Sequence, residues 1–91
     1  MRESGILIDG ECDRSAIAEL VNTVSNVDDP GADYIVRVDK PIGTLCDLLV
    51  DFYSGYGDVD QVTARTARAI SDTFPDLSVN TMNEVGCPIP F

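Results

Sequence analysis

The sequence contains no histidine and no tryptophan, and Lys40 is its only lysine. Without histidine, the chain cannot build the Ser-His-Asp or Cys-His arrangements of hydrolases in their usual form. It also lacks the commonest metal-binding side chain. Six Lys and Arg stand against sixteen Asp and Glu, which gives a formal net charge of −10. Direct binding to a nucleic-acid backbone depends on Lys and Arg, so we do not expect it.

Long apolar runs are also missing. No run approaches the roughly 20 residues that a membrane-spanning helix needs, and the run Ile6–Ile8 is too short for the core of a signal peptide. Cys12, Cys46 and Cys87 are odd in number and lack the C-x-x-C spacing of zinc sites. We therefore expect a reduced, cytoplasmic protein with no membrane contact, no metal and no cofactor.

The apolar residues that are present predict alternating strands and helices. A strand is expected where apolar residues run together or alternate, and a helix where they recur every three or four residues. Turn dipeptides and prolines separate the segments. The expected strands are Gly5–Ile8, Tyr34–Asp39 and Leu77–Thr81, and the expected helices run from Asp13 or Ser15 to Val27 and from Asp58 to Phe74.

The stretch Pro41–Gly57 predicts a further helix at the centre of the fold. Leu45, Leu48, Leu49 and Phe52 recur at i, i+3, i+4 and i+7, which places them on one helical face. The element order is then β-α-β-α-α-β. This order predicts a small two-layer α/β or α+β domain, in which a three-stranded sheet has its helices packed mainly on one face. The first two strands are expected to be parallel, and the direction of the last strand stays open.

The domain organisation follows from length and from the C-terminal prolines. Ninety-one residues suit one domain. Two prolines among the last residues favour an extended, polyproline-like conformation. We expect one compact domain over residues 1–85 and an extended tail over residues 86–91.

The segment after the first strand resembles the phosphate loop of low-molecular-weight tyrosine phosphatases and their arsenate-reductase relatives, C-x-G-N-x-C-R-S. Gly10, Arg14 and Ser15 match that pattern by position. The resemblance implies an anion cradle at a helix N-terminus. However, the nucleophilic cysteine is replaced by Ile8 and the loop asparagine by Glu11, so no phosphatase activity is carried over.

The acidic residues provide the candidate binding site. On the expected central helix, Asp47 and Asp51 are about 6 Å apart along the axis, and carboxylates spaced in this way can imitate a nucleic-acid backbone, whose charges lie ~3.4 Å apart on each strand. Tyrosine is enriched at protein interfaces. The candidate partner-binding residues are therefore Asp47, Asp51, Tyr53, Tyr56, Asp58 and Asp60.

These observations favour a non-enzymatic, acidic protein-binding module. As a nucleic-acid mimic, it would occupy a basic surface of a nucleic-acid-binding protein and inhibit it, as phage-encoded anti-defence proteins or antitoxin-like immunity proteins do. A homodimer is compatible with the same composition. Two alternatives remain open. One is a small enzyme or enzyme subunit that uses a carboxylate and Cys12, and the other is a salt-adapted structural domain without any partner for its acidic surface.

Overall fold

The fold is described from a computed structural model, which covers residues 2–28, 34–40, 46–54 and 59–91. Along these residues the chain forms four strands and two helices in the order β-α-β-β-α-β. The elements are β1 (Arg2–Asp9), α1 (Arg14–Asp28), β2 (Tyr34–Asp39), β3 (Leu48–Ser54), α2 (Val59–Thr73) and β4 (Ser78–Asn83).

The four strands form one sheet in the order β2-β3-β1-β4, and each neighbouring pair is antiparallel. β1 and β2 both run antiparallel to β3, so they are parallel to each other with β3 between them. β4 lies at the edge beside β1. The register pairs Ile6 of β1 with Val50 of β3 and with Thr81 of β4.

The expectation of a small α+β domain is confirmed, but three strands and the order β-α-β-α-α-β are wrong. The expected central helix is the strand β3 where the structure describes it, while residues 41–45 and 55–57 of that segment lie outside the described residues. Leu48, Val50 and Phe52 are buried and alternate with the half-buried Leu49 and Asp51. This two-residue period is the signature of a strand.

The error has a physical cause. The apolar residues of this segment are so closely spaced that they fit a helical period and a two-residue period equally well. Neighbouring strands decide between helix and strand here, because β3 is hydrogen-bonded on both sides, to β1 and to β2. A strand in the middle of a sheet satisfies its backbone hydrogen bonds through distant segments, and local periodicity does not report them.

Both helices pack on one face of the sheet and form a single core with it. α1 contributes Ile17 and Val21, and α2 contributes Val62 and Ile70. The helices also contact each other. The predicted helical periodicity is therefore confirmed for both, since their apolar stripes face the sheet.

Asp13 caps the start of α1. Its carboxylate accepts a hydrogen bond from the backbone N–H of Ser15, with 2.9 Å between Asp13 Oδ1 and the nitrogen. Its carbonyl accepts the N–H of Ile17 at 3.1 Å. Of the two expected capping residues, Asp13 is the one that satisfies a free N–H of the first turn.

The C-terminal residues return along β4 without regular secondary structure. The N–H of Asn83 donates to the carbonyl of Cys87 at 2.8 Å. Further on, Thr81 Oγ1 donates to the carbonyl of Ile89 at 2.6 Å and accepts the N–H of Ile89 at 2.9 Å. Ile89 is buried. The tail thus covers part of an edge strand, which would otherwise present unpaired backbone groups.

Candidate functional site

The sheet has a second face, which no described helix covers. Its residues alternate along each strand with the core residues, so they point away from α1 and α2. We call this surface the open face. It consists of Glu3, Gly5, Leu7 and Asp9 of β1, Ile35, Arg37 and Asp39 of β2, Leu49, Asp51 and Tyr53 of β3, and Ser78, Asn80 and Met82 of β4.

The open face combines apolar side chains with carboxylates. Ile35 is 59% exposed and Met82 is 37% exposed, and Leu7 and Leu49 are half-buried between them. The face as defined carries four carboxylates and one cationic group, the guanidinium of Arg37. Large apolar side chains that are exposed together in a polar rim are typical of interaction surfaces.

The charges of the face are unevenly paired. Asp39 forms ion pairs with Arg14 of α1 at 3.0 Å and with Arg37 at 3.3 Å. Asp51 lies directly opposite Arg37 in the register, yet its carboxylate forms no hydrogen bond or ion pair with any described residue. Asp51 is therefore a half-buried charge of the face that the described part of the chain leaves unsatisfied, and Asp9 at the other end of β1 is a second.

Partial burial raises the pKa of Asp51 above its ordinary value of 3.8. Arg37 acts in the opposite direction, and the carboxylates of Glu3 and Asp39 add to the increase in pKa. Burial disfavours the charged form of a carboxyl group, as do negative neighbours. The environment is thus unfavourable for the Asp51 carboxylate, and a positive group placed beside it would relieve this.

Beside Asp51 the open face contains a groove of about 310 Å³, lined by Glu3, Ser4, Gly5, Leu49, Asp51, Met82, Asn83, Glu84 and Gly86. Gly5, in the middle of β1, contributes no side chain to it. A smaller hollow of about 160 Å³ shares Glu3, Asn83 and Glu84 with the groove and is also lined by Arg2, by Val85 and by Asp60 of α2. The two hollows bring carboxylates from β1, β3, α2 and the segment after β4 into one region.

The predicted site residues divide into three groups. Asp51 and Tyr53 lie on the open face, and Asp60 lies half-buried in the first turn of α2, at the smaller hollow. Asp47 is exposed just before β3. Tyr56 and Asp58 lie outside the described residues.

The predicted spacing of Asp47 and Asp51 is wrong. They do not lie one helical turn apart, because β3 is a strand that rises about 3.3 Å per residue and carries them to roughly 13 Å separation. Asp47 also has a bond within its own chain, since its Oδ2 accepts the N–H of Gly10 at 2.7 Å. The regular carboxylate ladder of a nucleic-acid mimic is therefore not formed by this pair.

Sequence reasoning missed Glu3, Gly5, Ile35 and Met82 as parts of the same surface. A signal for them existed, because residues that alternate with a buried set along a strand share the other face. This alternation identifies a shared surface only when the strand register is known, because the register places Gly5 opposite Asp51 and Met82.

A second concave surface lies at the opposite end of β1. It measures about 830 Å³, and its described lining consists of Gly10, Glu11, Cys12, Asp13, Lys40, Cys46 and Asp47. Burial and the carboxylates of Asp47 and Asp13 raise the pKa of the Cys12 thiol above 9.0, against the opposite effect of Lys40. A raised pKa leaves less thiolate at neutral pH, and the thiolate is the reactive form.

The described residues contain neither a metal-binding cluster nor a helix that could span a membrane. No group of three or more Cys, Asp and Glu side chains in residues 2–28, 34–40, 46–54 and 59–91 is arranged to hold a metal ion. Over the same residues, neither helix is long and apolar enough to cross a membrane.

Comparisons with known proteins bear on the fold. No family model matches the chain, and no curated protein matches its sequence. The structure is similar to the solution NMR structure of a de novo designed protein with a ferredoxin fold, with a TM-score of 0.56 over 91% of this chain and 83% of that one. The sequences are 12% identical, so the likeness shows the fold alone. The chain is a small α+β domain with a ferredoxin-like fold.

Proposed function

We propose that this protein is a non-enzymatic binding module that uses its open face to bind a partner protein rich in Lys and Arg. The observation that supports the proposal is the unpaired carboxylate of Asp51, half-buried near the Leu49 side chain on a sheet face that no described helix covers. An apolar surface of this kind loses water favourably on association. Its carboxylates select a positively charged partner.

A second copy of the chain is the less suitable occupant. Two open faces packed together would bring the carboxylates of Glu3, Asp9 and Asp51 from both copies into one interface, where Arg37 is the cation that the open face of each copy contributes. Like charges across an interface cost several kcal/mol. The net charge of −10 adds long-range repulsion between copies.

Proteins that handle nucleic acids are the partner class that fits best. Their binding surfaces carry clustered Lys and Arg that normally contact phosphates. An acidic face can occupy such a surface and thereby inhibit it, which is the mode of action we assign to this protein within the cytoplasm. Nucleic acid itself is repelled by the same carboxylates.

The enzyme alternative has less support. Its proposed nucleophile, Cys12, has a raised pKa in the concave surface near Asp47. Catalytic cysteines need positive neighbours that stabilise the thiolate. Here two of the charged groups acting on Cys12 are carboxylates and one is Lys40.

Site-specific photo-crosslinking tests the proposal. A photoreactive phenylalanine analogue replaces Tyr53 on the open face, and a control variant carries it at Arg68, which is exposed on α2. Crosslinking in cells that contain the protein should yield a basic protein from the Tyr53 position and much less of it from the Arg68 position. Equal yields from both positions would contradict the use of the open face.

The identified partner then allows a binding measurement over a salt series. The variant Glu3→Gln/Asp51→Asn should bind more weakly than Asp72→Asn/Asp76→Asn, which removes the same charge from exposed residues elsewhere. Electrostatic steering raises on-rates by ~10–1,000-fold and is screened by salt, so association should slow as salt increases. Binding that is insensitive to salt and to both variants would favour the salt-adapted structural domain.

A further inference from the structure

The groove beside Asp51 suggests a more specific mode of recognition, which rests on the proposed function. We infer that this groove, defined by Gly5, Leu49, Asp51 and Met82 with Glu3 and Glu84 at its rim, receives one Lys or Arg side chain of the partner. The carbon stem would lie against Leu49 and Met82. The cationic head would pair with the Asp51 carboxylate.

Gly5 is the first reason for this inference. It lies in the middle of a paired strand, where glycine has no side chain to pack and weakens the strand. Its backbone has no positive φ. A Cβ built at Gly5 would lie 3.5 Å from Asp51 Oδ1, 3.6 Å from Leu49 Cδ1 and 3.7 Å from the carbonyl oxygen of Val50, all ordinary contact distances. The fold would therefore accept alanine, so close approach of a neighbouring atom does not explain the glycine, and Gly5 contributes only backbone atoms to the lining of the groove.

The side chains around Gly5 are the second reason. A methyl group of Leu49 and a carboxylate oxygen of Asp51 approach the same point above Gly5, and Met82 pairs with Gly5 from the other side. An apolar wall beside an unpaired carboxylate matches an aliphatic chain that ends in a cation, which is the design of Lys and Arg side chains. The carboxylates of Glu3 and Glu84 reinforce the preference for positive charge.

The size of the groove is the third reason. At about 310 Å³ it lies at the lower limit of small-molecule pockets. It therefore suits a single side chain better than a large cofactor. Insertion of one long side chain into a pocket is also the form that energetically dominant contacts of protein interfaces commonly take.

NMR titration of the intact 91-residue chain tests the inference without knowledge of the partner. The probes are three blocked pentapeptides of sequence Ser-Gly-X-Gly-Ser, in which X is lysine, arginine or the uncharged norleucine. We expect the lysine and arginine peptides to shift the backbone signals of Gly5, Leu49 and Asp51 and to lower the pKa of Asp51. The norleucine peptide should bind roughly tenfold more weakly, because it cannot pair with the carboxylate.

Variants at two positions locate the site. Gly5→Val fills the groove without changing any charge and should weaken binding of the lysine peptide roughly tenfold, while Ser78→Val adds the same side chain at the margin of the open face and should not. If Gly5→Val does not fold, Gly5→Ala replaces it as the variant that adds a side chain at the groove. Asp51→Asn should abolish the preference for lysine over norleucine, whereas Asp9→Asn removes the same charge outside the groove and should preserve it.

The outcomes separate this inference from the proposed function. Equal binding of the lysine peptide by wild type and the Gly5 variants, or signal changes spread evenly over the open face, would overturn the groove as a side-chain pocket. If the crosslinked partner still binds the open face of those variants with wild-type affinity, the binding module stands and only the pocket is wrong. If the Tyr53 position captures no basic protein while the lysine peptide binds at Gly5, the pocket stands and the proposed function fails.

Discussion

The carboxylate of Asp47 accepts a hydrogen bond from the backbone N–H of Gly10, with 2.7 Å between Asp47 Oδ2 and the nitrogen. The backbone N–H of Asp47 also donates to the carbonyl of Ile8 at 2.9 Å. Gly10 has a φ of 123°, a conformation that favours glycine. The residue that precedes β3 thus holds both the end of β1 and the turn that leads to α1, which gives Asp47 a structural role.

Replacement of Asp47 by alanine should therefore destabilise the fold. Loss of a hydrogen bond between a carboxylate and a backbone N–H costs about 1–2 kcal/mol of unfolding free energy. The measurement is urea-induced unfolding of Asp47→Ala. The control is Glu11→Ala, which removes an exposed carboxylate from the same concave surface. Equal stability of the two variants would mean that the Asp47 bond contributes nothing to the fold.

Leu48 and Leu49 distinguish the strand β3 from the predicted helix. Leu48 is 1% exposed in the core, whereas Leu49 is half-buried on the open face. Leu48→Ala should cost ~2–5 kcal/mol because it leaves a cavity, and Leu49→Ala about 1 kcal/mol because it removes only partly buried surface. Thermal and urea unfolding measure both. On a helix with both residues in its apolar stripe the two losses would be similar, so similar values would contradict the strand.

The docked tail depends on Thr81. Its hydroxyl makes two hydrogen bonds to the backbone of Ile89, and Thr81→Val keeps the shape of the side chain but loses both. We expect a loss of ~1–3 kcal/mol because buried backbone groups are left unpaired, and faster hydrogen exchange at the Ile89 amide. In the control Thr23→Val, an exposed hydroxyl that bonds the carbonyl of Glu19 is removed, and the Ile89 amide should exchange as in wild type. Unchanged exchange in Thr81→Val would show that other contacts hold the tail.

Asp51 should make stability depend on pH. Because burial raises the pKa of Asp51 in the folded state above 3.8, the folded protein binds this proton more tightly than the unfolded chain does. The resulting stabilisation is fully present below about pH 3.8 and is lost as pH rises through the folded-state pKa. Asp51→Asn mimics the protonated group, so it should be more stable than wild type at pH 7 and equally stable at pH 3.

Unfolding curves of wild type and Asp51→Asn at several pH values check this dependence. Asp9→Asn is the matched control, since it removes one negative charge from the same face and corrects for the general effect of net charge. A wild type that is more stable than Asp51→Asn at pH 7 would show that an attractive partner within the chain stabilises the carboxylate. In that case Asp51 would not be an unsatisfied charge of the open face.

Several features of the fold follow from the sequence because local forces determine them. In both helices, apolar residues recur every three to four residues, and this period predicts a helix. Asp13 has the side chain that caps a first turn. Tyr34–Asp39 alternates as a half-buried strand does, and its predicted bounds agree with β2. These elements depend on interactions between residues that are close in the chain, so their pattern is readable without the fold.

The identity of β3 and the composition of the candidate site depend on residues far apart in the sequence. Asp51 faces Gly5 and Arg37 only because β3 lies between β1 and β2, and Met82 reaches the groove only because β4 joins the other side of β1. The sequence by itself determined the acidity, the lack of histidine and the two amphipathic helices. Only the tertiary structure decided that Asp51 lies unpaired beside a groove, because strand pairing and register arise from backbone hydrogen bonds between distant segments.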